Sequence, residues 1–284
     1  MSPPSGQTHP LSGQTHLAAV IGDPIRHSLS PTIFNAAFAE VGLDWVYLAF
    51  EVVEGDTAGA LDAARVLGIE GLSVTMPHKT TTARLVDELT ASARALDAVN
   101  CVVRDDGRLV GHNTDGAGFV ASLAHDAGFD PQGRFCLVLG AGGAARAVVL
   151  ALAESGAAEV CVVNRTADRA ETTTRLAGPV GRVGVADDAR RADLIVNATS
   201  VGMGGRGCPI EPDLLGPGQL VADLVYHPVT TPLLEAARAR GAATLDGVGM
   251  LVHQGAMAFE LWTGRPAPVT AMTVAARAAL APNR

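Results

Sequence analysis

A few groups of residues in this chain have the types and spacing to do chemistry. The first is Lys79, within LSVTMPHKTT, the sole lysine among 21 lysines and arginines. A guanidinium keeps its proton at any working pH, whereas an ammonium can give one up. Lys79 follows Pro77 by two residues, at an expected helix start. A helix N-terminus carries partial positive charge, and partial burial acts in the same sense, so both favour release of the ammonium proton. That combination suits a general acid/base. The plain alternative is a surface lysine on a capping turn. Asp115, in HNTDG, is a candidate to orient the ammonium and equally a candidate N-cap for the helix that follows.

The second group is the turn GAGGAA, Gly140-Ala141-Gly142-Gly143-Ala144-Ala145. An apolar strand precedes it, an amphipathic helix follows, and a second strand lies within a βαβ distance. In that context Gly140 permits a tight turn, Gly142 lets backbone approach a pyrophosphate, and Ala145 lets helix and strand pack closely. The free N–H groups of the helix start would face the phosphates. A glycine turn that merely packs a helix is the alternative. After the second strand comes Asn164-Arg165-Thr166, then Arg169. An NAD-preferring site usually carries an Asp or Glu there for the ribose hydroxyls. Here that acid is missing, and two guanidiniums four residues apart can share one anion. The pattern predicts a pocket for the 2′-phosphate of NADP, against the alternative of a solvated arginine pair.

The elements that must position these groups are legible from hydropathy. LAAVIG, from Leu17, reads as a buried strand ending at Gly22-Asp23-Pro24. Ser30-Pro31 reads as an N-cap and first turn, with Ile33, Phe34, Ala37, Phe38 and Val41 on one helical face and Gly42 as the stop. WVYLAFEV is a second strand, Asp56 to Leu67 a helix, and LSVTM a third strand running into a helix. VNCVVRDDGRLVGHN predicts a hairpin around Asp106-Gly107. From Asp115 onward, helix and apolar strand alternate, and the near-continuous apolar strands fit a parallel sheet buried on both faces. LVHQGAMAFELW, Leu251 to Trp262, reads as a helix with Leu251, Met257, Ala258 and Leu261 on its apolar side. The fold class expected is α/β.

The 284 residues suggest about two domains. Hydrophobic residues make up 48% and charged residues 18%, ample for large cores and unlike a disordered chain. A net charge of −8 excludes a basic nucleic-acid footprint. Cys101, Cys136, Cys161 and Cys208 form no CxxC pair and three lie in apolar runs, which predicts reduced structural thiols in a cytoplasmic protein and no metal site. No apolar run is long and charge-free enough to span a bilayer. The start repeats SGQTH, lacks a signal-peptide pattern, and reads as a disordered tail over residues 1–16.

Taken in order, GDPIRHSLSP, LSVTMPHK, AVN, HNTDGAGF, GAGGAARA, NRT, NATSVGM, DLVYHP and GMLVHQGAMAFELW resemble the motif series of shikimate dehydrogenases, over almost the whole of Leu17 to Trp262. The resemblance implies reversible NADPH-dependent reduction of 3-dehydroshikimate to shikimate, a step of chorismate and aromatic amino-acid biosynthesis. It implies a substrate domain of residues 17–115 plus 251–284 around a Rossmann NADP domain of 116–250. Lys79 and Asp115 match the catalytic pair. Ser28 and Ser30 match the groups that hold the substrate carboxylate. Thr75, Asn100, Tyr226 and Gln254 match those that hydrogen-bond the ring hydroxyls. Leu224 and Gly247 match positions near the nicotinamide. The histidines beside these motifs (His27, His78, His112, His227 and His253) match no catalytic position. A small-molecule substrate, no membrane partner and a monomer or homodimer are expected.

The chain departs from the family pattern at Ser73 for Asn, at Asp97 and Cys101 in DAVNC for GAVNT, and at Phe34 for His. A quinate or quinate/shikimate dehydrogenase is therefore the nearest rival, and a non-catalytic NADP sensor on the same fold is a rival of another class.

Overall fold

The computed structural model describes residues 10–281. The chain divides into two compact units, residues 1–114 with 254–284 and residues 115–253. The first copy of the SGQTH repeat lies outside the described residues. The second does not behave as a disordered tail. Gln14 N–H donates to Ser12 Oγ at 3.1 Å and Thr15 Oγ1 donates to Asp44 at 2.9 Å. His16 opens the first strand and stacks on Trp45 at 5.1 Å. The polar composition concealed this, because the turn satisfies its own backbone through Ser and Thr hydroxyls.

In the first unit, β1 (His16–Gly22), α1 (Ser30–Glu40), β2 (Trp45–Glu51), α2 (Thr57–Val66), β3 (Gly71–Val74), α3 (Lys79–Leu85), β4 (Glu88–Leu89), α4 (Ala91–Leu96), β5 (Cys101–Asp105) and β6 (Arg108–His112) follow in order. The sheet order is β2-β1-β3-β5-β6-β4. β1 pairs parallel with β2 and β3, β5 runs antiparallel to β3, and β6 antiparallel to β5. The hairpin turns at Asp106 and Gly107, both at positive φ, as a two-residue primed turn requires. One face of the sheet packs Ile21, Leu72, Val74 and Val102 against Leu61, Ala64 and Ala93. Elsewhere in the unit Phe34, Tyr47 and Trp262 cluster, and Trp262 lies so close to Gly71 that a Cβ there would stand 2.3 Å from its ring.

Two local expectations for this unit are corrected. Ser30 is not the cap of α1: the N-cap is Leu29, in helical conformation with no side-chain cap, and Ser28 Oγ accepts from Ser30 N–H at 3.3 Å. The strand read as LSVTM stops at Val74, leaving Thr75 and Met76 in the turn, because Thr75 carbonyl already accepts from His78 N–H at 3.0 Å.

The second unit runs α5 (Asp115–Ala127), β7 (Phe135–Leu139), α6 (Gly143–Glu154), β8 (Glu159–Val163), α7 (Ala167–Thr174), β9 (Gly181–Val183), β10 (Leu194–Asn197), β11 (Leu220–Asp223), α8 (Pro232–Ala239) and β12 (Ala243–Leu245), and holds the start of α9 (Gly247–Thr263). α9 continues into the first unit, which ends with α10 (Val269–Leu280). The second sheet is wholly parallel in the order β12-β11-β10-β7-β8-β9, the doubly wound order of dinucleotide-binding folds. Alternate strand residues go to opposite cores. Cys136, Val138 and Val160 meet Val148 and Leu152 of α6, while Leu137, Cys161 and Val221 meet Leu233 and Leu234 of α8. Burial pushes both thiols up to about 12, so Cys136 and Cys161 are packing groups, as their apolar runs predict.

The buried stripe of α9 is Val248, Val252, Ala256, Phe259 and Trp262, spaced at the helical period. The sequence reading placed Leu251, Met257, Ala258 and Leu261 inside. Ala258 is buried, but Leu261 is 40% exposed and Leu251 and Met257 are only half-buried. Phe259 and Trp262 carry the aromatic packing of this stripe, and side-chain hydropathy alone misjudged the face.

Candidate active site

In the first unit the chain leaves β1 for β2 on one side and reaches β3 on the other, so the carboxyl ends of β1 and β3 form a topological switch point, where open α/β sheets bind ligands. The loop after β1 carries Ser28 and Ser30, and the loop after β3 carries Thr75 and Lys79. These two loops are stitched together. Thr75 N–H donates to Ile21 carbonyl at 3.0 Å and Asp23 N–H to Met76 carbonyl at 2.9 Å. A Cβ on Gly22 would stand 2.5 Å from Thr75 Cγ2, so the close approach requires glycine.

The antiparallel hairpin delivers more polar groups to the same edge. Cys101 pairs with Ser73 of β3 and with His112 of β6, so Asn100 before β5 and Thr114 after β6 share that end. Asn100 is 4% exposed. Its Oδ1 accepts from Thr114 N–H at 2.8 Å, and its Nδ2 donates to Thr114 Oγ1 at 2.9 Å and to Gln254 Oε1 at 3.3 Å. Thr114 Oγ1 also lies 3.1 Å from Gln254 carbonyl. Asn100 and Gln254 are thus brought together. Thr114 is the residue sequence reasoning did not single out, although it stands in the quoted HNTDG.

Lys79 is the first residue of α3 and is half-buried. Its carbonyl accepts from Val99 N–H at 3.0 Å, which ties the helix start to the segment before Asn100. The preceding His78 is buried. Its Nε2 donates to Val52 carbonyl at 2.7 Å, leaving Nδ1 to face Thr57 Oγ1 at 2.8 Å. His78 therefore anchors the turn that carries Lys79 and does not face a ligand. Burial holds His112 below the usual histidine range.

Beneath these loops lies Tyr47, which the sequence reading left in a strand with no role. Phe34 stacks on its ring at 4.4 Å, and Asn35 brackets its backbone with bonds of 2.9 and 2.8 Å. Its hydroxyl donates to Ser73 Oγ at 2.7 Å. Burial lifts this phenol far above its ordinary range, with the Ser73 and Ser30 hydroxyls opposing the rise. A polar ring in an otherwise apolar strand was the available signal.

In the second unit the switch point lies between β7 and β10. Gly140 follows β7 at φ +113, and a Cβ there would stand 2.9 Å from Ala198 carbonyl, after β10. Gly142 is the N-cap of α6, and a Cβ on Gly142 or Gly143 would meet no atom within 4 Å. Ala145 is fully buried. The helix start is thus open to solvent above and tightly packed below, which fits a pyrophosphate on its N–H groups. Asn164 Nδ2 donates to Thr166 carbonyl at 2.9 Å, shaping the turn after β8. Arg165 and Arg169 are exposed, and among the described residues neither pairs with a carboxylate.

The loops after β10 and β11 are set by a buried network the sequence did not reveal. Asp223 Oδ1 accepts from Asn197 Nδ2 at 2.8 Å and from Val225 N–H at 3.0 Å, and Oδ2 from Thr231 Oγ1 at 2.6 Å. Burial lifts the Asp223 carboxyl above the usual range, against these three bonds. The network fixes the chain through Leu224 and Tyr226. Burial also raises the Tyr226 phenol. A Cβ on Gly247 would stand 2.5 Å from Leu224 carbonyl. No helix among the described residues is long and apolar enough to cross a membrane.

Comparison with known proteins agrees with both units. The family profile for the shikimate dehydrogenase substrate binding domain matches residues 20–102, that for shikimate / quinate 5-dehydrogenase residues 122–201, and that for the shikimate 5′-dehydrogenase C-terminal domain residues 247–277. The NADP(+) shikimate dehydrogenase of Moorella thermoacetica is 46% identical over 95% of each chain. A crystal structure of shikimate dehydrogenase in complex with NADP+ superposes with TM-score 0.93 at 34% identity, covering 98% of this chain and all of that one. The Thermus thermophilus enzyme in complex with NADP(H) and shikimate gives 0.88 at 39% identity, covering 93% of this chain and 100% of that one. With likeness of this extent along both units, the chain belongs to the shikimate dehydrogenase family.

Proposed function

We propose that this protein catalyses the reversible, NADPH-dependent reduction of 3-dehydroshikimate to shikimate in the cytoplasm, as a step toward chorismate and the aromatic amino acids. The observation that carries the reading is the polar edge of the first sheet, where Ser28, Ser30, Thr75, Lys79 and Asn100 all belong to segments at one strand end. A polyhydroxylated ring carboxylate needs such a set, because each unmatched polar group excludes analogues lacking a hydroxyl. The serine hydroxyls and the N–H groups of α1 suit the carboxylate. Asn100 and Gln254, already cross-linked, suit ring hydroxyls, with Thr75 and Tyr226 completing the set.

Bound NADPH supplies the hydride to the carbonyl carbon. The alkoxide left on the ring oxygen takes a proton from the Lys79 ammonium, and in the reverse direction Lys79 accepts it. Asp115 orients the ammonium in this scheme. Gly140, Ala141, Gly142 and Gly143 hold the pyrophosphate, Leu224 and Gly247 flank the nicotinamide, and Asn164, Arg165, Thr166 and Arg169 take the 2′-phosphate. Retention of both Lys79 and Asp115 favours an enzyme over a cofactor sensor.

The test is turnover followed by nicotinamide absorbance with shikimate, quinate and 3-dehydroshikimate, each with NADP(H) and NAD(H). Shikimate with NADP is expected to be the preferred pair. Faster oxidation of quinate with NAD would overturn the assignment in favour of a quinate dehydrogenase, and no turnover with any pair would favour a sensor.

A further inference from the structure

Three donors outside this machinery converge where the end of α5 meets the start of α9. His125 and Asp126 come from α5 and His253 from α9, and one nitrogen or oxygen from each lies within 4.8 Å of the other two. His125 Nδ1 is 2.8 Å from Asp126 Oδ1, and His253 Nε2 is 3.6 Å from Asp126 Oδ2. The two imidazoles meet edge-on with centroids 5.2 Å apart. His253 is buried while His125 and Asp126 are exposed, so the trio is anchored on one side and open to solvent on the other.

The surroundings are shaped for this carboxylate. Ser122 Oγ donates to Asp126 Oδ2 at 2.9 Å and fixes its orientation. Gly249 faces the same group, and a Cβ there would stand 2.1 Å from Ser122 Oγ and 2.3 Å from Asp126 Oδ2. Glycine at this position leaves the carboxylate room beside His253.

We propose that His125, Asp126 and His253 form a binding site for a divalent transition-metal ion of the zinc class. Two imidazole nitrogens and one carboxylate oxygen suit such an ion, with water in the fourth tetrahedral position. Magnesium and calcium demand six or more oxygen ligands, which the trio does not offer. The hydroxyl of Ser122 is the outer partner that orients the ligating carboxylate. The ion would tie α5 to α9. Asp115 opens α5 and Gln254 follows His253 directly, so metal occupancy would stiffen two helices that carry residues of the proposed catalytic set.

The chelator-washed full chain is titrated with zinc chloride by calorimetry and with cobalt(II) by visible absorption, with metal-dependent melting temperature as a third readout. One ion per chain is expected, with tetrahedral cobalt bands and a raised melting temperature. His125→Ala removes an exposed side chain and is expected to keep the fold intact by circular dichroism. It is expected to weaken zinc binding and to abolish the cobalt bands. Ser122→Ala is expected to weaken binding by roughly 10–100-fold, the usual effect of losing an outer partner. His16→Ala is expected to bind as the unmodified chain does. Absence of stoichiometric binding to the unmodified chain, or unchanged affinity in folded His125→Ala, would overturn the proposal.

Discussion

The buried Tyr47 hydroxyl donates to the half-buried Ser73 Oγ at 2.7 Å, and Ser73 stands where the family pattern carries Asn. The phenol is wholly buried, and losing Ser73 takes away its hydrogen-bond acceptor. Ser73→Ala is expected to lower stability by about 1–3 kcal/mol, the cost of a buried unsatisfied hydroxyl. Tyr47→Phe removes the donor itself, and the half-buried Ser73 can turn to other partners. Adding Tyr47→Phe to Ser73→Ala should therefore cost less than the two single changes summed. Urea unfolding of the four proteins measures the cycle. Additive losses would mean that the pair is geometrically close and energetically idle.

Gly140 and Gly142 are two residues apart and are expected to fail differently. Gly140 needs φ +113 and has Ala198 carbonyl against it. Alanine there is expected to lower stability by more than about 1 kcal/mol, since the conformation is closed to it. Gly142 has φ −84, ψ −174 and open space, so Gly142→Ala is expected to keep its melting temperature. Its new methyl occupies the space proposed for a pyrophosphate. Loss of backbone bonds to a charged group predicts a KM for NADP raised roughly 10–100-fold. Calorimetric melting and initial-rate kinetics separate the two outcomes.

Arg165→Ala with Arg169→Ala tests the 2′-phosphate assignment. Charge-assisted bonds are worth about 1.5–3 kcal/mol, so the KM for NADP should rise roughly 10–100-fold while that for NAD changes little. The effect should shrink as salt is raised, since both guanidiniums are exposed and screened. Equal losses for NAD and NADP would remove the arginines from cofactor selection.

The β7–turn–α6 unit was legible because local rules agree there: an apolar run, Gly140 for a positive φ and Gly142 for open space. The hairpin at Asp106-Gly107 was legible for the same reason. Ser30 was misread as a cap because Ser-Pro is a local signature, whereas Leu29 fills that position and Ser28 turns its oxygen onto Ser30 N–H. The face of α9 was misread because Leu251 and Leu261 outrank Ala256 in hydropathy, yet the small residue sits in the buried stripe. The Asn197–Asp223–Thr231 network could not be read at all. Its members lie 26 and 8 residues apart, and only strand pairing brings Asn197 beside Asp223.

That network gives a pH signature. Burial raises the folded-state value of Asp223 above the unfolded value near ~3.9. The folded state therefore holds this proton more tightly, and the contribution to stability is full below the unfolded value. It is lost as pH rises through the folded value. Asp223→Asn cannot take up that proton. The stability of the unmodified protein relative to Asp223→Asn should therefore fall as pH increases from about 4. Urea unfolding of both proteins across that range reads the slope, and a difference independent of pH would contradict the assignment.

Lys79 is the sole lysine in the chain, and its proposed task explains why arginine does not replace it. A guanidinium can neutralise charge but cannot exchange a proton at working pH. Lys79→Ala and Lys79→Arg are therefore both expected to lose kcat by roughly 10²–10⁴-fold, the usual contribution of general acid–base catalysis. Neither should change the melting temperature greatly, because the helix start is held by Lys79 carbonyl and by the His78 side chain, which both variants keep. If Lys79 only bound substrate as a cation, Lys79→Arg would retain much of its kcat and shift chiefly KM. The pH dependence of kcat gives the second reading. The unmodified enzyme should show a limb that both variants lack, and a limb surviving in Lys79→Arg would assign the proton transfer to another group.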